Sequence, residues 1–413
     1  MPRQNRFRHQ PYVAWKSPPI PTTVTAVRPD QVANVDAGET LRRLRVRHVF
    51  LAHGTFVGDD PFGFAQKLDE LSESVPRLLQ PAFKAIALES WGQVLRSVNQ
   101  RLGGQLMGET GSFRDDYVAE FRELLGSNGP TVERFDWSSG NDHISRAEAA
   151  VNLFNRLAAL PIDPTVDRVL LWGHSHAGNV FALLSNLLAN DRDAVEQFFR
   201  ATSGDAQSGT DWKSARERLA AAPSPHPLAQ ALCVVTMGTP VRYGWDCGGY
   251  SRLLHIAHHR PVPNWSEFIA KPALPQSVEE VVGAKFGDWV QSFGIAGSDL
   301  APLDHDRRAR NRELGQLLET GLVMSKVSDD PSLFDHMPEL IRDLIQDRLR
   351  GFSDLLARLQ CGSRVPTDGD AAWLFDYGVG ETEKLGHGMY TKRAWLPFHA
   401  TRIADWLRQS WET

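Results

Sequence analysis

Cysteine is scarce in this chain of 413 residues: three are present, Cys233, Cys247 and Cys361, far apart and without a CxxC pair. An odd, dispersed set excludes a disulfide framework and the usual zinc-finger or redox spacing. Long apolar runs are also lacking, since no stretch reaches the roughly 18 uncharged apolar residues of a membrane span. The first residues, MPRQNRFRHQPYVAWKSPP, are basic but carry no apolar h-region and no small-residue cleavage pattern. A soluble, cytoplasmic protein without an integral membrane segment is expected, with export by a signal-less route left open. Dense positive charge is missing as well. The formal net charge is -5, and the basic residues are scattered apart from Arg42, Arg43, Arg45 and Arg47, so nucleic acid is not an expected partner. No phosphate-type glycine fingerprint and no internal repeat is visible.

What is abundant is core material: 42% of the residues are hydrophobic, enough for one large domain. Residues 1–40 are rich in proline and polar side chains and read as an N-terminal arm or edge covering. Residues 41–413 read as a single domain. Short apolar runs at 47–51, 131–137, 166–172, 232–237, 253–256, 289–295 and 372–377 read as strands, each ending in a glycine or polar turn. Helical spacing follows several of them, as in Val180, Phe181, Leu184, Leu187 and Leu188, and again over 395–406. Strands alternating with helices, many apolar on both faces, predict a mostly parallel sheet covered on both sides. Residues 62–125 read as a helical insertion and 241–288 as an excursion rich in aromatic residues and proline, with 307–359 as a long, interrupted helical region.

The most telling stretch is 168–179, where an apolar run ends on Gly173-His174-Ser175 and a helical pattern begins at once. A serine hydroxyl is a poor nucleophile unless it is held clear of the backbone, beside a base and above N–H groups that take up negative charge. A strand, a sharp turn and a helix supply that geometry. Gly173-x-Ser175-x-Ala177 departs from the common G-x-S-x-G pattern at its fifth residue, but alanine is still small, and Gly178 adds room. The competing reading is an ordinary turn whose serine caps the helix. His53-Gly54-Thr55 closes an earlier strand, so that a backbone N–H of Thr55 could meet that of His176 on a developing oxyanion.

Together these features resemble the α/β-hydrolase family, with lipase- and esterase-like members the most similar in pattern, over about residues 47–411. Phe135-Asp-Trp-Ser-Ser-Gly-Asn141 looks like the loop after the family's fourth strand, and Val235-Thr-Met-Gly-Thr-Pro240 like the end of its sixth. The resemblance implies an eight-stranded α/β-hydrolase fold, helical insertions near the active-site mouth, and a nucleophile, an acid and a histidine in that chain order. It leaves the substrate open.

The histidine must sit on a late loop, where it can take and return the serine proton. His387, between Gly386 and Gly388, fits; His399 lies in a helical pattern and reads as a packed or surface residue. The acid should follow the strand after Gly238-Thr239-Pro240 and precede His387. Asp299 is the first choice because an apolar run from Trp289 ends near it, with Asp376 and Asp304 in reserve. A metal reading of His53, His174 and His176 is disfavoured, since the last two flank a tight turn and no carboxylate follows at ligand spacing. His258-His259 and Asp304-His305-Asp306 read as solvated loops. Trp245, Tyr250 and Trp265 could wall a ligand or form a core edge, and Phe56, Phe62 and Phe64 an acyl site or a local cluster.

The expected activity is therefore carboxylic-ester hydrolysis through an acyl-enzyme, with no cofactor or metal required and a small-molecule acyl ester or lipid as substrate. Thioester or amide hydrolysis and a catalytically silent lipid-binding or interaction module are the alternatives. Oligomeric state is not legible in the sequence.

Overall fold

The structure, a computed structural model, describes residues 7, 20–54, 113–202, 209–260, 280, 283–291, 305–319, 368–378 and 386–412. Its frame is a seven-stranded sheet: β1 (Thr22–Ala26), β2 (Val46–Ala52), β3 (Thr131–Phe135), β4 (Arg168–His174), β5 (Leu232–Met237), β6 (Arg252–His258) and β7 (Ala371–Asp376). The spatial order is β1-β7-β6-β5-β4-β2-β3, and every neighbouring pair is parallel.

Helices pack on both faces, because parallel neighbours require crossovers that travel over the sheet. Alternation along the strands decides which side chain goes where. Val169 and Leu171 of β4 join one apolar cluster, while Leu170 and Trp172 join the other. The first cluster is closed by α3 (His143–Ala158), α4 (Ala177–Ala189), α5 (Arg192–Thr202) and α6 (Trp212–Ala221), with part of α8 (His305–Glu319). The second is closed by α1 (Ala37–Arg43), α2 (Asp115–Leu125) and α9 (Leu396–Glu412); the one-turn helix α7 (Leu228–Ala231) leads directly into β5. Phe121 of α2 meets Trp172 edge to face with ring centres 5.0 Å apart. Burying each such ring stabilises the fold by about 2–3 kcal/mol, so truncating Trp172 would cost about 3–5 kcal/mol.

Several expectations need amendment. The sheet has seven strands among the described residues, where the resemblance implied eight. Residues 22–26, inside the proline-rich arm, form β1 and pair with β7 from Thr22↔Ala372 to Ala26↔Asp376. The polar stretch over 200–227, which reads as loop or irregular helix, contains α6, where Ala215 and Leu219 are buried behind a polar face. Residues 289–291 are helical where a strand was expected. Of the insertion over 62–125 and the long helical region over 307–359, the described parts are α2 and α8; the rest lies outside the described residues.

The strand order fixes where a ligand would bind. The chain goes outward from β2 to β3 and then returns to place β4 on the other side of β2. The connections after β2 and β4 therefore diverge at their C-terminal ends, which is the usual location of a crevice in an open parallel sheet. β2 ends before Gly54, and β4 ends before Ser175.

Candidate active site

Because all the strands run one way, the residues that follow β2, β4, β5, β6 and β7 gather along one sheet edge. Ser175 leaves β4 with φ 57°, the left-handed region that a residue with a Cβ enters at a cost of about 1–3 kcal/mol. Its surroundings hold it there. The Ser175 N–H donates to Met237 O at 2.9 Å, and its own carbonyl accepts from Thr239 Oγ1 at 2.8 Å and from the Gly178 N–H at 3.1 Å. His176 then precedes α4 without a side-chain cap, so the helix's first N–H groups are not satisfied by a side chain of their own N-cap. A Cβ built on Gly54 would overlap Ser175 Cβ and come 2.9 Å from Ser175 Oγ. The end of β2 thus lies directly against the serine, an approach that needs glycine.

His387 comes from the loop after β7. Its Nδ1 lies 2.8 Å from Asp288 Oδ2, its carbonyl accepts from His174 Nε2 at 3.0 Å, and its ring centre is 4.5 Å from that of His174. The imidazole is thereby fixed beside the residue preceding Ser175. A carboxylate at Nδ1 places the N–H on that nitrogen and leaves Nε2 as the acceptor of the neutral ring.

Asp288 is fully buried. A carboxylate there must be compensated by hydrogen-bond donors, and three are present. His387 Nδ1 and Tyr390 Oη, at 2.8 and 3.1 Å, both reach Oδ2, while the Gln291 N–H donates to Oδ1 at 3.1 Å. The backbone is anchored too, since the Asp288 N–H donates to His258 O at 3.1 Å. Gly238, at φ 59° after β5, makes room: a Cβ there would overlap the Tyr390 ring and lie 2.8 Å from Asp288 Oδ2.

Ser175, His176 and His387, all expected from the sequence, are therefore brought to one edge. Thr55, Asp299 and Asp304 lie outside the described residues. Asp376 accepts from Arg260 Nε at 3.0 Å and from the Gly378 N–H at 2.9 Å, the ordinary partners of a carboxylate at a strand end. His399 is buried against Tyr377, whose hydroxyl is 3.0 Å from its Nε2, and burial pushes its imidazole down to about 3. His176 and His53 are held locally. His176 Nδ1 meets Asn179 Nδ2 at 3.1 Å, and His53 Nδ1 meets Gly54 O at 2.9 Å. The loop after β3 covers His53: Trp137 stacks on it and donates from Nε1 to its carbonyl at 2.9 Å. Burial lowers the His53 imidazole below its ordinary value.

Trp245 and Tyr250 do not stand at this edge. They meet edge to face at 6.2 Å and pack on the α4 side of the core, where the Ser251 N–H donates to Leu232 O at the start of β5. Trp265, Phe56, Phe62 and Phe64 lie outside the described residues. Among the described residues, no group of three or more His, Cys, Asp or Glu is disposed to hold a metal ion, and no helix is long and apolar enough to cross a membrane.

Asp288 escaped the sequence reading because Trp289 and the apolar residues after it read as a strand, which moved the expected acid to the far end of that run. The available signal was a helix start. Asp288 stands three residues before Gln291, and its side chain accepts that residue's N–H as an N-cap does.

The molecule thus belongs to the class of parallel α/β proteins flanked by helices on both faces, with a serine, a histidine and a buried carboxylate on the C-terminal sheet edge. Comparison with protein-family models, curated proteins and solved structures finds no match to this chain.

Proposed function

We propose that the protein is a serine hydrolase of α/β-hydrolase fold that cleaves carboxylic esters through an acyl-enzyme. The observation carrying this reading is the buried His387–Asp288 pair, tied through the His387 carbonyl to His174, the residue that precedes a serine whose backbone is left-handed. The order in which the groups arrive supports it: serine after β4, carboxylate after β6, histidine after β7.

In the proposed reaction His387 Nε2 accepts the Ser175 hydroxyl proton as Oγ attacks the ester carbonyl carbon. Asp288 holds the ring in the required tautomer and stabilises the imidazolium. The His176 N–H, at the start of α4, and that of Thr55 receive the oxyanion; one such donor is typically worth about 10²–10³ in rate. Collapse breaks the bond to the alkoxy oxygen, which leaves with the proton from His387. Water, deprotonated by the same imidazole, then attacks the acyl carbon and releases the acid and Ser175.

A fluorophosphonate probe on the purified chain tests the covalent step, and a panel of p-nitrophenyl acyl esters, acyl thioesters and peptide amides tests the substrate class. Labelling at Ser175 with preference for oxygen esters is expected. Preference for thioesters or amides would replace the substrate class, and neither labelling nor turnover of any substrate would favour a silent binding module.

A further inference from the structure

Asp288 does not face His387 alone. Tyr390 is fully buried, and its hydroxyl oxygen lies 2.6 Å from the backbone nitrogen of His258 and 3.1 Å from Asp288 Oδ2. The two neighbours leave one arrangement of protons. The His258 N–H can only donate, so it occupies a lone pair of the phenol oxygen; the carboxylate can only accept, so it takes the phenol proton. Burial, reinforced by the charge of Asp288, pushes the Tyr390 phenol well above its ordinary range, so it remains a neutral donor.

The ring has little freedom to withdraw this hydroxyl. Its edge faces Gly238, where a Cβ would overlap it, and ring centres of His174, Tyr377 and His387 lie 5.7, 5.9 and 6.0 Å away. Among the described residues, the titratable groups around the His387–Asp288 pair include His174 from β4, His258 from β6, Tyr377 after β7, and Tyr390 itself. His174 and His258 brace the same loop through its carbonyls, His174 Nε2 donating to His387 O at 3.0 Å and His258 Nδ1 to Gly386 O at 3.2 Å.

We propose that Tyr390 is a positioning residue for Asp288, whose hydroxyl shares the carboxylate oxygen with His387 and so sets how strongly that carboxylate holds the imidazolium. The proposal rests on the serine-hydrolase reading for its catalytic consequence. Two donors on one oxygen compete for the same charge. Without the phenol proton the carboxylate binds the imidazolium more tightly, and the base stays protonated to higher pH.

Tyr390→Phe keeps the ring and removes only the hydroxyl. The rate of fluorophosphonate labelling at Ser175, followed against pH, should fall about tenfold near neutrality, the factor that goes with an acid limb displaced by about one pH unit. Its acid limb should move to higher pH, which a merely structural loss would not produce. In an Asp288→Asn background the same change should add little, because the two residues act as a unit. A superimposable pH profile, or an equal further loss in that background, would overturn the proposal.

If the wild-type chain is not labelled at Ser175, the hydrolase reading fails, and proton NMR still tests the contact. The low-field Nδ1–H resonance that disappears in His387→Ala should lie further downfield in Tyr390→Phe. An unmoved resonance would remove Tyr390 from the pair.

Discussion

Arg45 and Arg47, at the start of β2, both reach Asp167 Oδ1, at 2.8 and 2.9 Å, with 49% of each arginine side chain in water. Nearby, at the starts of β4 and β6, Arg168 and Arg252 lie over the Trp411 ring of the last helix. At the opposite end of the sheet Asp288 has 0% of its side chain exposed and His387 6%. The first end ties two half-exposed arginines to a carboxylate that is itself only 9% exposed, so water reaches one partner of each pair and screens it in part. The second buries charge among donors that satisfy it, where loss of one partner leaves an expensive group behind. Both ends hold a buried aspartate; they differ in the partners, half-exposed arginines at one and a buried histidine and tyrosine at the other.

The sharpest test of this contrast is Ser175→Ala, which should lower probe labelling and ester turnover by about 10⁴-fold or more, as expected for loss of a nucleophile. Its circular-dichroism spectrum should remain that of the parent. Equal labelling of the variant, traced to another serine by mass spectrometry, would move the site.

Next in size, Asp288→Asn should reduce ester turnover by about 10⁴-fold, the scale on which a misoriented imidazole acts. His387→Ala should cost at least about 10²-fold. Asp376→Asn, Asp299→Asn and Asp304→Asn serve as comparisons, measured on the same p-nitrophenyl ester with folding checked by thermal melting. A larger loss in any of them than in Asp288→Asn would displace Asp288 as the orienting acid.

Gly54→Ala should come third. The added methyl must push Ser175 or the end of β2 aside, costing about 1–3 kcal/mol in stability by overpacking. A displaced serine should also lower turnover by about 10²-fold. Unchanged kinetics would mean that the contact tolerates a methyl group and that the serine's position is not set by β2.

The smallest effect belongs to the charged end. Asp167→Asn should cost about 1–3 kcal/mol, the scale of hydrogen bonds lost from a charged group, and leave turnover within about twofold, since its ties lie at the sheet end remote from Ser175. The Asp167 carboxyl is held down to about 2, first by the Asp163 N–H and then by Arg47 and Arg45. A lowered carboxylate contributes stability that is fully present above its unfolded value, about 3.9, and is lost as pH falls through about 2. Stability measured by urea unfolding should therefore decline less steeply below pH 4 in the variant than in the parent. Parallel curves would show that Asp167 is not the group responsible.

Local physics made much of this molecule readable from its residues. Continuous apolar runs marked β2, β4 and β5 because strands buried on both faces need apolar side chains at every position. Gly173, Ser175 and the helical pattern that follows marked the turn, because a sharp reversal requires small neighbours within a few positions. His387 was visible between its two glycines for the same reason. By contrast, β1 acquires its partner only when β7, some 350 residues later in register, comes alongside, and an edge strand of five residues with polar neighbours has little pattern of its own. Trp245 and Tyr250 suited a ligand wall and a core edge equally well; the return of the chain to the start of β5 placed them, half buried, at the edge of the core. Asp288 is the strongest case. Its separation of 99 positions from His387 is closed by the parallel order of β6 and β7, which brings the loops after them to one edge. A sequence displays which residues can carry a proton, but burial and a fixed partner give a carboxylate its role, and both are properties of the folded sheet.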